Sequence, residues 1–367
     1  MAPGTMKAAR YYGKEDIQIK DDIPIPECGD DQVLIQPAFV GVCGTDLHEY
    51  MGGPNFSPTS AHPVTKEKIP ITIGHEFSGT IKSFGKNVTG LTVGQQVAIQ
   101  PTIFCGQCGA CGVNAENACP SGGFIGLSGG GGGMSEFVTV PHRAVFPLPA
   151  SVPLDIGALV EPLAVAWHAV DASPIAEYPT GAEPKCMVLG GGPIGLAVVQ
   201  VLLARGCSTV ICVEVAKKRQ QFAKDFGASH VLDPTKEDIA TKALEICGGK
   251  NGPDIIFDCA GVPQSLETAC KSVRSRGTVV NVAIWEKEVP FNPNWLVFRE
   301  ASYKAVLGYQ AKDFQGVVDA LGEGRLKPQG MITSKVKMGE LVEKAYLPLI
   351  HEKDEHVKIL VDMQGSL

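Results

Sequence analysis

Cys105, Cys108, Cys111 and Cys119 follow one another with gaps of two, two and seven residues. Four soft thiolates on one short loop can close a tetrahedron around zinc, leaving no position open for chemistry, so the ion expected here is structural. Gly106, Gly109 and Gly112 are expected to let the backbone curl around it. An iron–sulfur cluster competes, since C-x2-C-x2-C occurs and Pro120 follows the last cysteine. Against it, the final gap is seven residues rather than three, and no second set of cysteines exists. Unmetallated thiols are the remaining alternative. The other eight of the twelve cysteines are scattered, and a chain this large without a secretory-type N-terminus points to metal or thiol chemistry rather than a disulfide framework.

A second motif concerns phosphate. Gly190-Gly191-Gly192-Pro193-Ile194-Gly195 fits G-x-G-x-x-G directly after the apolar run 185–190 and at the head of a helical segment. The glycines suit a tight turn, a close backbone approach to pyrophosphate, and strand–helix packing, while the helix N-terminus offers free N–H groups. Glu214 ends the next apolar run, 19 residues after Gly195. A carboxylate there accepts hydrogen bonds from a ribose diol and repels a 2′-phosphate, which favours NAD over NADP. Lys217, Lys218 and Arg219 leave NADP open, although such a run is more often a solvated helix face. The bland alternative is a plain glycine loop followed by a solvated acid.

A third constellation is dispersed: Cys43, Thr45 and His48 in 41–50, His75 and Glu76 in 74–79, and Glu161 in 160–168. Thiolate, imidazole and carboxylate suit a catalytic zinc with one position left open. Spacing alone does not join residues so far apart. Taken singly, Cys43 reads as a small buried hydrophobe, His75 as a surface or core histidine, and His48 as a solvent-facing helix residue.

The elements that must position these groups fall into two textures. Residues 6 to about 157 are rich in Gly and Pro and carry short alternating runs such as 33–36, 79–84 and 96–100, which read as a β-rich domain. The stretch 52–70 reads as a long surface loop. From 185 to about 305, β-branched runs at 185–190, 210–214, 231–232, 255–258 and 278–282 alternate with helical segments at 194–205 and 217–226. That alternation predicts βαβ units and a parallel sheet. Helical segments around 314–321 and 339–349 precede a last strand at 357–361, expected to return to the first domain.

At 367 residues the length suggests two domains. The net charge of −7, from 32 basic and 39 acidic residues, favours solubility and disfavours nucleic acid or an anionic membrane as partner. The longest apolar run, 194–204, is too short for a span and reads as a buried core helix. With no signal peptide and a plain Gly-Ser-Leu tail, the expected location is cytoplasmic.

The segments 41–50, 74–79, 123–133, 160–168, 281–286, 327–333 and 356–362 together make the chain resemble the zinc-containing medium-chain dehydrogenases, and within them the 2,3-butanediol (acetoin) branch. The resemblance covers nearly the whole chain, and the loop 53–70 and the stretch 281–285 tilt it away from sorbitol dehydrogenases. It implies an α/β protein: a β-rich GroES-like catalytic domain with two zinc sites over 1–160 and 308–367, and a Rossmann doubly wound parallel-sheet coenzyme domain over 161–307. It implies Cys43, His75 and Glu161 as catalytic zinc ligands, with Glu76 a fourth ligand or a neighbouring carboxylate that exchanges with substrate. Thr45 would touch the reacting oxygen, His48 would form the outer end of a proton relay, and Arg219 would lie near the adenosine ribose. Asn114 departs from the glycine usual at its place in the cysteine lobe, but Asn tolerates left-handed backbone angles.

The activity so implied is reversible oxidation of a small secondary alcohol or vicinal diol, with an R-configured carbinol, by NAD and two zinc ions per chain. The active site is expected in the cleft between the domains, with Phe56 and Trp285 as candidate walls. Alternatives are a polyol or secondary-metabolite alcohol as substrate, or a non-catalytic NAD-binding sensor. The expected partners are the small-molecule substrate and copies of the same chain in a homodimer or homotetramer, with the strand near 279–285 as a pairing surface.

Overall fold

The computed structural model describes residues 4–178, 182–285 and 287–365. Glu286 of the 281–286 motif, the first three residues and the last two lie outside the described residues. The chain divides into two compact units, Met1–Glu161 with Gln310–Gly322 and Met331–Leu367, and Pro162–Tyr309 with Glu323–Gly330.

The first unit is built on a seven-stranded sheet. Its central strand, Gln32–Gly41, alternates buried Val33 and Ile35 with half-buried neighbours and then becomes buried on both faces toward Gly41. That strand pairs antiparallel with Glu76–Phe84 on one side and with Lys358–Asp362 on the other. The last strand therefore returns to this unit, and it also pairs parallel with Ile332–Lys337. A three-stranded sheet of Asp16–Pro24, Thr5–Gly13 and Ile71–Thr72 completes the unit's main frame. The helical segment expected at 339–349 is a 3-10 turn, a π-turn at Val342–Tyr346 and a short α-helix at Leu347–His351. Pro348 has no N–H to give to the preceding turn, so a regular α ladder cannot run through it.

The second unit holds a six-stranded parallel sheet in the order His230–Leu232, Val210–Val213, Cys186–Leu189, Ile255–Asp258, Thr278–Asn281, Ser302–Ala305. In chain order this is 3-2-1-4-5-6, the doubly wound arrangement of dinucleotide-binding sheets. The strands Cys186–Leu189, Val210–Val213, Ile255–Asp258 and Thr278–Asn281 are buried throughout, which explains their continuous apolar runs. The helix Pro193–Ala204 is buried along Gly195–Leu202, as a helix apolar on all sides must be. One expectation changes. The strand at Thr278–Asn281 is paired on both sides, so the 279–285 segment offers no free sheet edge. The sheet's two edges are His230–Leu232 and Ser302–Ala305, and all four residues of the latter are exposed. No helix among the described residues is long and apolar enough to cross a membrane.

Candidate metal centres and dinucleotide turn

Strand register in the first unit brings the dispersed residues together. Gly41 lies opposite Glu76 in one ladder and opposite Leu360 in the next, so the end of one strand and the start of another meet the middle of a third. Cys43 follows Gly41 by two residues, and His75 precedes Glu76 by one. Donor atoms of Cys43, His75 and Glu76 lie within 4.8 Å of one another. Glycine at 41 is a requirement of this meeting: a Cβ there would stand 2.2 Å from Glu76 Oε2. Glu161 heads the helix Val160–Ala172 and is 6% exposed. It stands outside the 4.8 Å group, but its charge contributes to the field at Lys358.

Lys358 and Glu76 form a buried ion pair at 2.8 and 2.6 Å, with the ammonium also donating to the Val42 carbonyl. Burial opposes the lysine's charge, but Glu76, Cys43 and Glu161 outweigh it and raise its pKa. His75 Nδ1 stands 3.4 Å from Asp46 Oδ1, while Asp46 Oδ2 accepts the Cys43 backbone N–H at 2.9 Å. Asp46 therefore touches two candidate ligands at once. Burial disfavours a charged His75 ring, yet Asp46 and then Cys43 raise its pKa well above the usual value. The 3.4 Å contact is long for a hydrogen bond, and His75 Nδ1 and Asp46 Oδ1 are both buried without a hydrogen-bonded partner. Soft sulfur, an imidazole oriented by a carboxylate, and acids beside them are the donor set of a zinc ion with an open position, so the residues fit that metal.

The helix Gly44–Gly52 starts from Cys43 as its cap. Its first turn carries Thr45, whose Oγ1 is 3.8 Å from Cys43 Sγ, and one turn later His48 is exposed. A hydroxyl beside the candidate ligands and an imidazole at the surface, three residues apart on a helix, share one side of it.

In the cysteine lobe, Sγ–Sγ separations are 3.6 Å for Cys105–Cys119, 3.5 Å for Cys108–Cys111 and 3.7 Å for Cys108–Cys119. A tetrahedron with zinc–sulfur bonds of about 2.3 Å has edges of about 3.8 Å. The lobe is thus shaped for a tetrahedral ion, and the separations are far too long for disulfides. The Gln107 backbone N–H lowers the Cys105 thiol to about 6, while burial and then Cys108 push the Cys111 thiol up to about 11. Of the lobe's glycines only Gly106 adopts a positive φ, +74°. Gly109 and Gly112 are the ends of a short helix, so their freedom is not what shapes the loop. Asn114 takes φ 57°, the left-handed angle its side chain tolerates.

In the second unit, Gly190 turns the chain with φ +96° and Gly192 caps the helix without a side-chain hydrogen bond, leaving its first N–H groups open. A Cβ on Gly195 would meet the Gly190 carbonyl oxygen at 1.8 Å, so strand and helix can approach only with glycine there. Pro193 and Ile194 begin the helix. Glu214 is buried and accepts the Gly191 N–H at 2.7 Å and the Ala216 N–H at 2.8 Å. Each carboxylate oxygen keeps a further lone pair for a ribose hydroxyl. Lys217 and Lys218 are exposed, whereas the Arg219 guanidinium comes within 3.9 Å of where a Gly192 side chain would begin. Trp285 is half-buried, its indole N–H donating to Asn281.

Three residues escaped the sequence reading. Lys358 carried a signal, a single charge inside the apolar run 357–361. Asp46 and Glu49, three apart, are the buried face of the short helix, but acids on a helix are ordinarily solvated. A cavity of about 550 Å³ in the first unit, lined by Arg10, Glu67, Thr102 and Arg143 among others, includes none of the candidate ligands. The centre is therefore recognised by its donors rather than by cavity size.

The chain is similar to known proteins along its whole length. It is 40% identical to an (R,R)-butanediol dehydrogenase of Bacillus subtilis, covering 97% of this chain and 99% of that protein. It is 36% identical to an (R,R)-butanediol dehydrogenase of Saccharomyces cerevisiae, covering 97% and 98%. The crystal structure of 2R,3R-butanediol dehydrogenase from Bacillus subtilis superposes with a TM-score of 0.90 at 39% identity, covering 98% of this chain and 99% of that one. The family model described as alcohol dehydrogenase GroES-like domain matches residues 29–150, and that described as zinc-binding dehydrogenase matches 193–323. On these matches and this fold, the chain belongs to the zinc-binding alcohol dehydrogenases.

Proposed function

We propose that this chain oxidises a small vicinal diol of the 2,3-butanediol type to the hydroxyketone, reversibly, with NAD as hydride acceptor and two zinc ions per chain. The observation that carries the proposal is the meeting of Cys43, His75 and Glu76 within 4.8 Å, at the cap of a helix that bears Thr45 and His48. When bound, zinc supplies Lewis acidity toward an alcohol or carbonyl oxygen, and NAD takes up the hydride. Cys43, His75 and Glu161 are the proposed ligands, with Asp46 orienting the His75 ring so that Nε2 is left for the metal. Glu76, held at both oxygens by Lys358, neutralises that ammonium and would serve as a fourth ligand or as a neighbouring carboxylate that exchanges with substrate. Thr45 holds the proton of the reacting hydroxyl, and His48, exposed one turn away, exchanges it with bulk water.

Cys105, Cys108, Cys111 and Cys119 are assigned the structural zinc, which braces a loop with too few apolar contacts to hold itself. Gly190 to Gly195 with Pro193 and Ile194 take the pyrophosphate, Glu214 the ribose diol, and Arg219 the adenosine side. Thiolate ligands suit a reducing, cytoplasmic setting. The exposed edge strand Ser302–Ala305 supports assembly into a homodimer or homotetramer, which light scattering on the purified protein tests directly.

The test of function is absorbance at 340 nm with a panel of (R,R)-, (S,S)- and meso-diols, sugar alcohols and simple secondary alcohols, each with NAD and with NADP. The (R,R)-diol with NAD should turn over fastest. Faster oxidation of a sugar alcohol would overturn the substrate, preference for NADP would overturn the Glu214 argument, and silence in protein holding two zincs per chain would leave a sensor.

A further inference from the structure

The buried acid Glu49 has no part in the scheme above, yet it is one of the most constrained side chains near it. It is 3% exposed, and its carboxylate accepts three consecutive backbone N–H groups: Asn55 at 2.9 Å and Phe56 at 2.6 Å on Oε1, and Ser57 at 3.2 Å on Oε2. Three backbone N–H dipoles thus converge on this buried carboxylate and help to balance its charge. Such charge-assisted bonds need an acceptor-only group; an amide would turn an NH2 against one of the three donors.

The turn so held starts the long loop after the catalytic helix. Asn55 Nδ2 donates to the His48 carbonyl at 3.3 Å, tying the turn to the helix a second time. On its other side the Phe56 carbonyl accepts from Ser128 Oγ at 3.5 Å, and Ser128 Oγ accepts the Phe124 N–H at 3.3 Å. The Phe124 ring lies 6.3 Å from that of His75. The turn is thus strung between the helix bearing Thr45 and His48 and the segment packed against His75. Ser57 is 5% exposed while Phe56 is 45% exposed, so a buried anchor holds a large aromatic ring in the open.

We propose that Glu49 is a positioning residue that fixes the Asn55–Ser57 turn and so sets the wall Phe56 presents to the substrate, making it a determinant of diol selectivity. The selectivity half rests on the function proposed above; the anchoring half does not.

The experiment compares wild type, Glu49→Gln and Glu49→Asp as zinc-loaded holoenzyme, with metal content measured for each. Hydrogen exchange read by mass spectrometry should show amides of 53–60 exchanging at least about tenfold faster in Glu49→Gln, with 76–84 unchanged. The KM for 2R,3R-butanediol should rise about tenfold, more than kcat falls, and the preference for the diol over 2-butanol should shrink. Glu49→Asp, still acceptor-only but one methylene shorter, should recover part of both effects. Unchanged exchange at 53–60 would overturn the anchor. Faster exchange with unaltered diol preference would overturn the wall. If wild type oxidises neither alcohol, the substrate reading and the selectivity claim fall together, while the exchange result still judges the anchor.

Discussion

Replacing Lys358 with methionine should expose how strongly the proposed catalytic centre depends on one buried ion pair. The two side chains are 2% and 1% exposed, and the ammonium reaches both Glu76 oxygens at 2.8 and 2.6 Å. At an effective dielectric near 20, charges about 3 Å apart attract by roughly 5 to 6 kcal/mol, most of which offsets the cost of removing both from water. Methionine fills similar volume but leaves Glu76 charged, buried and unpaired. Breaking one partner of such a pair costs about 3 to 5 kcal/mol. The three tryptophans, Trp167, Trp285 and Trp295, all belong to the second unit and would not report the loss. Native-state hydrogen exchange along Glu76–Phe84 would, rising by about two to nearly four orders of magnitude if that free energy is right. Lys358→Met combined with Glu76→Gln should recover much of it, giving a coupling of about 2 kcal/mol or more. Exchange within about fivefold of wild type, or two strictly additive single substitutions, would refute the view that each group is needed to neutralise the other.

Cys108→Ser should lower the metal content from two zincs to one per chain and speed proteolysis within 105–119, read by elemental analysis and peptide mapping; two retained zincs would refute the lobe as a metal site. Gly195→Ala, whose Cβ would sit 1.8 Å from the Gly190 oxygen, should abolish the fluorescence change on NADH binding or unfold the second unit; normal NADH affinity would refute the close-packing argument. Tyr11 is raised from 10.0 to about 12, first by burial and then by the Glu49 charge, and its hydroxyl donates to the Glu49 carbonyl. A pKa raised on folding means that the folded chain keeps the proton longer. The contribution is therefore complete below pH 10 and lost as pH rises from 10 toward 12, by up to about 1.4 kcal/mol per pH unit. Tyr11→Phe should flatten that alkaline limb in denaturation midpoints taken from pH 9 to 12; an unchanged limb would assign it to other groups.

The features legible in one dimension are those whose parts are neighbours in the chain. The gaps of the cysteine lobe, the glycine turn at 190–195, and the continuous apolar runs of the parallel sheet each report a local shape, because a short segment must satisfy its own backbone and ligand geometry. Even Asn114 was readable, since its φ of 57° is a property of one residue. The edge strand Ser302–Ala305 was not, because all four residues are exposed and carry no apolar run.

What only the tertiary structure decided is the register. Cys43, Glu76 and Lys358 share one place because Gly41 faces Glu76 in one ladder and Leu360 in the next. A slip of one residue in either ladder would turn the side chains to the opposite face. Asp46 stands where a helix-capping acid is ordinary and Glu49 where a solvated helical acid is, so neither pattern announces burial. Their burial follows from what packs over the helix, and their partners, His75 and the 55–57 turn, are set by the folded sheet and loop. Spacing along the chain encodes contacts within a turn or a loop, whereas contacts across hundreds of residues exist only once hydrophobic burial has chosen the pairing of strands.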